Sequence, residues 1–369
     1  MNKFFIVLIA ASLLSCSVYI ILTRNSGRKI ETIYGTFYVA DPAILDLIDS
    51  DVIQRMKKID QYGPIGFKSF SRYDHSIGVW ALLKKFGASR EEQIAGLLHD
   101  TSHTVFSHVG DKVFKCAEQK DSYQDKIHEW YLKQTCVPSI LKKYKIPFDI
   151  IDHKDSRYQL LEQDLPDICA DRLEYNLRGG LVEGLITQKD ITNILNDIII
   201  KDDKYCFCTQ EAAKKFCEIS LYLTEHVWGS CKGFVTQLFL AHALLRAINI
   251  NLITMHDIHF STDDIVLEKL QNSNDHIIQE DMKYFNAKDT LYLPGSPSEC
   301  DKYFKCKFRG IDPLVTCNDG QYKRLSELNQ NYGHYYKLLE NKMNKGYFIS
   351  FIDQELRAKQ GYLQEIFTV

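Results

Sequence analysis

The stretch AGLLHDTSHTVFSH, residues 95–108, carries more information about the fold than any other part of this chain. It joins an apolar run to the adjacent pair His99-Asp100 and continues to two more histidines, His103 and His108. Imidazole nitrogen and carboxylate oxygen together suit a borderline divalent metal ion. The segment therefore predicts a metal held at the end of a buried helix.

The composition is that of an ordinary globular protein. The 369 residues are 45% hydrophobic and 25% charged, enough for one large domain or two lobes around a metal-lined core. The net charge of -3 gives no strong nucleic-acid signal. The eleven cysteines include no Cys-x-x-Cys pair, so we expect buried, reduced thiols rather than a zinc ribbon.

The N-terminal segment differs from the rest of the chain. Residues 4–22 carry no charge and are long enough to span a bilayer, and the basic residues that follow predict a membrane-anchored protein with a cytoplasmic body. The alternative is a lipoprotein or exported protein, because residues 13–16 resemble a processing site with Cys16 as the acylated residue. We assign residues 1–23 to an anchor or signal segment and residues 24–35 to a polar linker.

Apolar residues recur at helical spacing along most of the remaining chain. Helices are predicted from Asp41-Pro42 to residue 63 and over 75–86, 91–99, 122–135, 158–178 and 210–248. After residue 250 the pattern is mixed, with helices at 265–271 and 325–343 and an edge strand at 305–313 that ends at a proline. The predicted fold class is mainly α, with a smaller C-terminal α+β lobe over 251–369.

A metal site of histidine and aspartate ligands needs more than one helix, because one helix face supplies only two ligands. His75 opens the first of two helices that a short loop makes antiparallel, which sets His75 beside His99. Asp171 has apolar neighbours, so its carboxylate is expected to point inward, where it is costly unless paired. The predicted metal ligands are therefore His75, His99, Asp100 and Asp171.

These motifs resemble the HD-domain phosphohydrolases, most closely the branch that contains the deoxynucleoside triphosphate triphosphohydrolases. That family takes its metal ligands in the order His, His-Asp, Asp, which matches His75, His99-Asp100 and Asp171. The Phe-Ser-His that ends at His108 and the Gln-Arg helix at 53–59 match as well. The resemblance spans residues 34–315 and implies an HD-type helical bundle over residues 36–250.

The resemblance also implies roles for other side chains. It makes His128 a general acid or base at the leaving oxygen, sets His103 and His108 against the phosphates, and lets Glu129 orient one of these histidines. The implied substrate contacts are Arg72 and Arg172 near the phosphates, Gln54 at a sugar hydroxyl and Tyr175 against the sugar.

The implied activity is metal-dependent hydrolysis of nucleotides, with release of triphosphate from a deoxynucleoside triphosphate. One divalent ion is expected, and the residues do not distinguish Mn, Fe, Mg, Ni and Zn. The alternatives are a phosphohydrolase or phosphodiesterase acting on another phosphate ester, and a catalytically silent, membrane-tethered nucleotide-binding protein. The resemblance further implies a homo-oligomer.

Two positions depart from the family pattern. Gly179-Gly180 follows Arg178, where the family has an aspartate that helps to read the sugar, and this change puts deoxyribose selectivity in doubt. Thr104 follows His103, where the family has a glycine, and this change is expected to narrow the phosphate channel.

Overall fold

The structure is a computed structural model that describes residues 27–63, 68–116, 122–287, 290–317 and 319–367. The predicted anchor or signal segment over residues 1–23 lies outside this range. Within the described residues, we find no helix with both the length and the apolar character needed to cross a bilayer. Anchoring through residues 4–22 and acylation of Cys16 remain predictions.

An antiparallel hairpin begins the described chain. Strand β1 (Arg28–Thr32) pairs with β2 (Gly35–Val39), and the turn between them carries the buried side chain of Tyr34. The Tyr34 hydroxyl donates to the backbone oxygen of Glu174 at 3.1 Å and to its Oε1 at 3.0 Å. The linker predicted over residues 24–35 is therefore wrong from residue 28 onward, because strand pairing and this hydroxyl attach the segment to the core.

The first predicted helix is broken into shorter elements, whereas the two helices that carry the first metal ligands form as the sequence predicts. Helix α1 (Pro42–Asp49), helix α2 (Asp51–Arg55) and a 3₁₀ turn (Met56–Lys58) replace the single helix predicted there. Helices α3 (Arg72–Lys85) and α4 (Arg90–Leu98) then form a packed antiparallel pair. Ser71 and Ser89 cap these two helices through their hydroxyls, as predicted for Ser89.

Three short helices follow, namely α5 (Val109–Val113), α6 (Tyr123–Lys133) and α7 (Val137–Lys143). The helix predicted over 158–178 begins only at α8 (Ala170–Val182). The prediction fails over residues 158–169 for two reasons. Pro166 disfavours helical backbone before it, and Glu92 Oε1 accepts the amides of Leu160 at 2.7 Å and Leu161 at 2.9 Å in place of helical carbonyls.

The long helix predicted over 210–248 is interrupted. After α9 (Gln188–Asn196) and the hairpin of β3 (Ile198–Lys201) and β4 (Lys204–Phe207), helix α10 (Gln210–Leu223) runs into a π-helical turn (Thr224–Trp228). A Cβ at Gly229 would overlap the carbonyl oxygen of Thr224, so this close turn requires glycine. Ser230 then caps helix α11 (Cys231–Asn249).

The C-terminal part is α+β, as predicted. Its elements are α12 (Met255–Phe260), α13 (Asp263–Gln271), α14 (His276–Ala287), β5 (Tyr292–Pro294), β6 (Lys302–Phe304), β7 (Leu314–Thr316), β8 (Tyr322–Arg324), α15 (Leu325–Leu328), α16 (Gln330–Lys345), β9 (Tyr347–Phe351), α17 (Gln354–Ala358) and α18 (Gln360–Phe367). The strand orders are β3-β4-β7-β8, with β4 and β7 parallel, and β5-β9-β6.

The edge strand predicted over 305–313 is wrong. These residues form no ladder, and the strand begins only after Pro313, at β7. Their alternating polar residues nevertheless share one side of an irregular segment, because Lys305, Lys307 and Arg309 line the same cavity.

Buried side chains form two clusters. The first surrounds α3, α4, α8 and α10, and residues 311–343 return to it from the C-terminal part. The second surrounds α11 and α14 and also includes side chains from residues 105–113. Packing therefore changes at α11 rather than after residue 250, and the loop that follows His99-Asp100 lies between the two clusters.

One glycine accommodates the unusual threonine in that loop. A Cβ at Gly110 would overlap Thr104 Oγ1, and Thr104 is only 2% exposed. We expect Gly110→Ala to lower the free energy of unfolding by about 1–3 kcal/mol through overpacking. Urea denaturation measures this, and adding Thr104→Ala should restore part of the loss. Gly361→Ala is the matched control, because nothing lies within 4 Å of a Cβ there. Equal losses for both glycines would contradict the Thr104–Gly110 contact.

Candidate metal centre and its cavity

The four predicted metal ligands converge. His75 Nε2 lies 3.2 Å from His99 Nε2, 2.9 Å from Asp171 Oδ1 and 3.5 Å from Asp100 Oδ2. His99 Nε2 lies 3.5 Å from Asp171 Oδ1 and 3.5 Å from Asp100 Oδ1. Ligands that bind one first-row cation at about 2.1 Å and at angles of about 90–110° lie about 3.0–3.4 Å apart. The spacing of the His75, His99 and Asp171 donors fits a single divalent ion, and Asp100 lies beside both imidazoles through its two different oxygens.

The outer hydrogen bonds of both imidazoles favour the same conclusion. His75 Nδ1 donates to Glu174 Oε2 at 2.6 Å, and His99 Nδ1 donates to the carbonyl of Gly96 at 2.7 Å. Both Nε2 atoms of the neutral rings therefore present lone pairs to each other, which only a shared proton or a cation can reconcile. Burial opposes a charged His75, but Glu174 and Asp171 outweigh it and raise the pKa of His75 to about 10. The site attracts positive charge.

Arg72 holds Asp100 in place. Its Nη1 bonds Asp100 Oδ2, its Nε donates to Ser107 Oγ at 2.8 Å, and its Nη2 donates to the carbonyl of Gln61 at 3.0 Å. Burial alone would raise the pKa of Asp100, yet Arg72 and His99 hold it well below its usual range. The guanidinium predicted to contact phosphate thus has three protein partners, and its main contact is with a metal ligand.

The loop after Asp100 is fixed by the C-terminal part. Phe106 and Ser107 both have positive φ values, 60° and 53°, which non-glycine residues seldom adopt. Asp263 Oδ1 accepts the amide of Phe106 at 2.7 Å, and its Oδ2 accepts the amide of Asp60 at 2.9 Å. This carboxylate at the start of α13 thereby keeps Ser107 within reach of Arg72.

The donor cluster forms one wall of a cavity of about 440 Å³. Five carboxylates border this cavity, and seven guanidinium or ammonium groups do so as well. The basic residues are Arg72, Lys112, Lys154, Arg172, Lys305, Lys307 and Arg309. Three of them come from the C-terminal segment 305–309, so both parts of the chain build the cavity. Its walls suit an anionic ligand that carries several phosphate oxygens.

Four more predicted residues lie in this cavity. His103 Nε2 lies 3.3 Å from Asp100 Oδ1, and burial together with the charge of Arg72 lowers the pKa of His103 to about 4. His108 is half-exposed and pairs through Nδ1 with Asp111 at 3.1 Å. Arg172 and Tyr175 also border the cavity. Arg172 donates to the backbone carbonyls of Asp167 and Gln163, both at 2.7 Å.

His128 lies one ring farther from the metal donors. It borders a second cavity of about 530 Å³, where its Nδ1 meets Ser102 Oγ at 2.9 Å. The ring of His153 stands between, 5.2 Å from the His128 ring and 6.3 Å from the His99 ring by centroids, and borders both cavities. Burial and the neighbouring His153 lower the pKa of His128 to about 3.

Two predicted site residues lie elsewhere. Glu129 faces solvent and pairs with Lys133 at 2.6 Å, one helical turn away, so it orients no histidine of the site. Gln54 donates to the carbonyl of Ile48 at 2.7 Å and does not border the metal cavity. A solvated helix face explains Glu129, and a carbonyl left by the break between α1 and α2 explains Gln54.

Sequence reasoning missed several residues of the cavity wall. Gln61 Oε1 and the Tyr62 hydroxyl are buried and have no hydrogen-bond partner among the described residues. His153 and Glu162 also border the cavity, and burial and the nearby Asp171 raise the pKa of Glu162 to about 7. All four lie in irregular segments, so no helical periodicity could have pointed to them.

The two departures from the family pattern have structural explanations. A Cβ at Gly179 would lie 2.6 Å from the Tyr62 hydroxyl, and a Cβ at Gly180 would lie 2.7 Å from Ile219, so the glycines allow close packing. Thr104 is buried against Gly110 and does not border the cavity. The expectation that Thr104 narrows the phosphate channel is wrong, because its side chain turns away from the cavity.

Several known proteins are similar to this chain in sequence or in fold. The family model described as HD domain matches residues 72–162. The uncharacterized protein YdhJ of Bacillus subtilis is 34% identical over 295 residues, which cover 78% of this chain and 88% of that protein. The metal-dependent phosphohydrolase cns2 of Cordyceps militaris is 34% identical over 182 residues, 48% of this chain and 52% of that protein.

A more distant relative is the deoxynucleoside triphosphate triphosphohydrolase SAMHD1 homolog of Dictyostelium discoideum, 26% identical over 51% of this chain and 43% of that protein. The chain thus spans about half the length of the Cordyceps and Dictyostelium relatives. A phosphohydrolase from Bacteroides thetaiotaomicron has a similar fold, with a TM-score of 0.67 at 16% identity over 88% of this chain and all of that one.

The match to YdhJ over most of both chains, the HD-domain match and the four converging donors establish the family. The chain belongs to the HD-domain phosphohydrolase superfamily. It is a metal-dependent phosphohydrolase, and its substrates are phosphate esters.

The Glu174 carboxylate should control metal affinity. We expect Glu174→Gln to weaken metal binding about 10–100-fold, because the hydrogen bond that orients His75 loses its charge. Competition with a chromophoric chelator measures the affinity. Glu129→Gln, which alters an exposed carboxylate away from the site, is the matched control. Unchanged affinity in Glu174→Gln would show that His75 needs no charged partner to bind the ion.

Proposed function

We propose that this protein is a nucleotide phosphohydrolase that releases triphosphate from deoxynucleoside triphosphates. The observation that carries the proposal is the meeting of two features in one cavity. His99, Asp100 and Asp171 form one wall, with His75 buried behind them, and seven lysine and arginine side chains border the same space. A polyphosphate chain is the ligand that needs both.

The size and the neutral walls of the cavity also suit a nucleotide. About 440 Å³ falls within the usual range for small-molecule sites, about 300–1,000 Å³. Tyr175, Trp228 and Phe234 offer aromatic faces for a sugar or a base, while Gln61 and Tyr62 offer unpartnered polar atoms. We assign the basic wall to the phosphates and this second wall to the nucleoside.

The proposed roles follow from position. A divalent ion on the four ligands would supply Lewis-acid activation of a phosphate ester. Lys305, Lys307, Arg309 and Arg172 would bind phosphate oxygens. His103 is neutral near pH 7, since its pKa lies at about 4, so it would form a hydrogen bond to phosphate without adding charge.

His128 remains the proposed general acid or base, but it must act across His153. His128 Nε2 is buried without a hydrogen-bond partner among the described residues, and only the His153 ring separates it from the metal cavity. A proton would therefore reach the leaving oxygen from His128 through the second imidazole.

Hydrolysis of another phosphate ester is the second candidate, and one observation favours it. The Tyr62 hydroxyl takes the space beside Gly179, where the family has its sugar-reading aspartate. A nucleotide screen that compares inorganic triphosphate with orthophosphate as the product separates the two candidates. Nucleotide binding at one per chain with no product over hours would instead support the silent, nucleotide-binding alternative.

Two substitutions should separate metal binding from proton transfer. We expect Asp100→Ala to abolish both bound metal and turnover, because it removes a ligand and leaves the charge of Arg72 unpaired. We expect His128→Ala to keep the metal and to lower kcat about 10²–10⁴-fold. Elemental analysis and steady-state kinetics on the same samples measure both effects. Wild-type turnover in either variant would contradict its assigned role.

Charge on segment 305–309 should govern substrate affinity. We expect Lys307→Gln to raise KM about 10-fold or more, since a hydrogen bond between charged groups contributes about 1.5–3 kcal/mol. Initial rates over a range of nucleotide and salt concentrations measure the effect. Lys323→Gln removes an exposed charge on β8 and is the control. A KM that responds equally to both changes would indicate general electrostatic attraction rather than contact.

A further inference from the structure

A second group of metal-binding side chains lies beside the first. Glu162, Cys169 and Asp171 each place one ligand atom within 4.8 Å of the other two. Asp171 belongs to both groups, while Glu162 and Cys169 have no part in the four-ligand cluster. The chemistry of this second group is different, since it combines two carboxylates with a thiol.

One oxygen of the Asp171 carboxylate takes no part in the first cluster. Its Oδ1 makes the contacts to His75 at 2.9 Å and to His99 at 3.5 Å. Within the described part of the chain, no hydrogen bond or ion pair involves its Oδ2. A carboxylate with one oxygen in each of two sites is the ordinary way in which neighbouring metal ions share a ligand.

Among the described residues, Glu162 forms no ion pair with a basic side chain. Its one side-chain hydrogen bond among the described residues comes from Cys169 Sγ at 3.8 Å. Arg172 is close in sequence, but its guanidinium donates to the backbone carbonyls of Asp167 and Gln163. Two carboxylates thus face each other in a partly buried wall with no cationic group bonded to Glu162, and this arrangement is unfavourable unless a proton or a metal ion compensates it.

Two further side chains matter here, Cys169 within this group and His153 beside the cavity that Glu162 borders. Cys169 is fully buried at the N-cap of α8, where Ser, Thr, Asp or Asn would cap the helix, yet its side chain makes no cap bond and contacts Glu162 instead. His153 is 6% exposed and borders the metal cavity together with Glu162. Its Nδ1 has no hydrogen-bond partner among the described residues.

We propose that Glu162, Cys169 and Asp171 bind a second divalent cation, with Asp171 shared between the two sites. The thiolate selects a borderline ion such as Zn²⁺, Co²⁺ or Fe²⁺ over Mg²⁺ or Ca²⁺, which prefer all-oxygen ligands. Paired metal ions in phosphoester hydrolases lie about 3.5–4 Å apart, a separation that one bridging carboxylate allows. Binding of this ion requires no nucleotide, so it does not depend on the proposed substrate.

Metal counting tests the proposal directly. The full chain is stripped with a chelator, reloaded with Co²⁺ or Zn²⁺, desalted and analysed for bound metal. We expect two ions per chain in the wild type and one in both Cys169→Ser and Glu162→Gln. The Co²⁺ form should show a thiolate-to-metal charge-transfer band in the near ultraviolet that both variants lose. Cys217→Ser, which alters a buried thiol in α10, should keep both ions and the band.

The outcomes are distinguishable. One ion per chain in the wild type without a charge-transfer band would overturn the second site and leave the first intact. Two ions retained in Cys169→Ser and Glu162→Gln would also overturn it, because other ligands would then hold the second ion. No bound metal in the wild type would refute both sites and the proposed function with them. Thermal denaturation of each variant confirms that a lost ion does not reflect a lost fold.

Discussion

Two imidazole nitrogens that lie 3.2 Å apart beside two carboxylates set the main constraint on this structure. His75 and His99 each use Nδ1 to bond an outer acceptor, so both Nε2 lone pairs point into the same small space. Two carboxylates close that space, and burial denies His75, His99 and Asp100 the solvation that would otherwise stabilise them. A divalent cation satisfies these requirements at once. The helices must therefore hold the ligands against their mutual repulsion, and the outer partners come from three of them: Arg72 on α3, Gly96 on α4 and Glu174 on α8.

That constraint reaches beyond the helical core. Arg72 can position Asp100 only because Ser107 and the Gln61 carbonyl complete its hydrogen bonds. Ser107 in turn belongs to a loop with two positive φ values, which Asp263 of α13 stabilises through the amide of Phe106. The same C-terminal part supplies the basic segment 305–309 to the cavity. The C-terminal lobe is thus a component of the site, and a fragment that lacks it would lose both the loop geometry and part of the phosphate wall.

The sequence predicted those features that local chemistry determines. Helical periodicity and a serine cap located α3 and α4, and the short loop between them was enough to place His75 beside His99. Prediction failed where a distant partner decides the conformation. Glu92 captures the amides of Leu160 and Leu161 and prevents helix there, and this contact leaves no trace in the local pattern. The family resemblance set Gln54 at a sugar hydroxyl, whereas Gln61, in an irregular segment, reaches the cavity. The Glu129 side chain faces solvent, and the local sequence does not show this because exposure depends on how the helix packs.

The metal centre and the residues around it are under different constraints, and this difference explains where the chain departs from its family. Replacing a metal ligand leaves a buried charge unpaired, so such positions tolerate little change. Away from the metal donors, steric compensation suffices: Gly179 makes room for the Tyr62 hydroxyl beside the cavity, and Gly110 makes room for Thr104 outside it. Side chains that border the cavity away from the metal donors, such as Tyr175, Trp228 and Phe234, can vary without disturbing the ligands. Substrate preference can therefore diverge among relatives that keep the same metal chemistry.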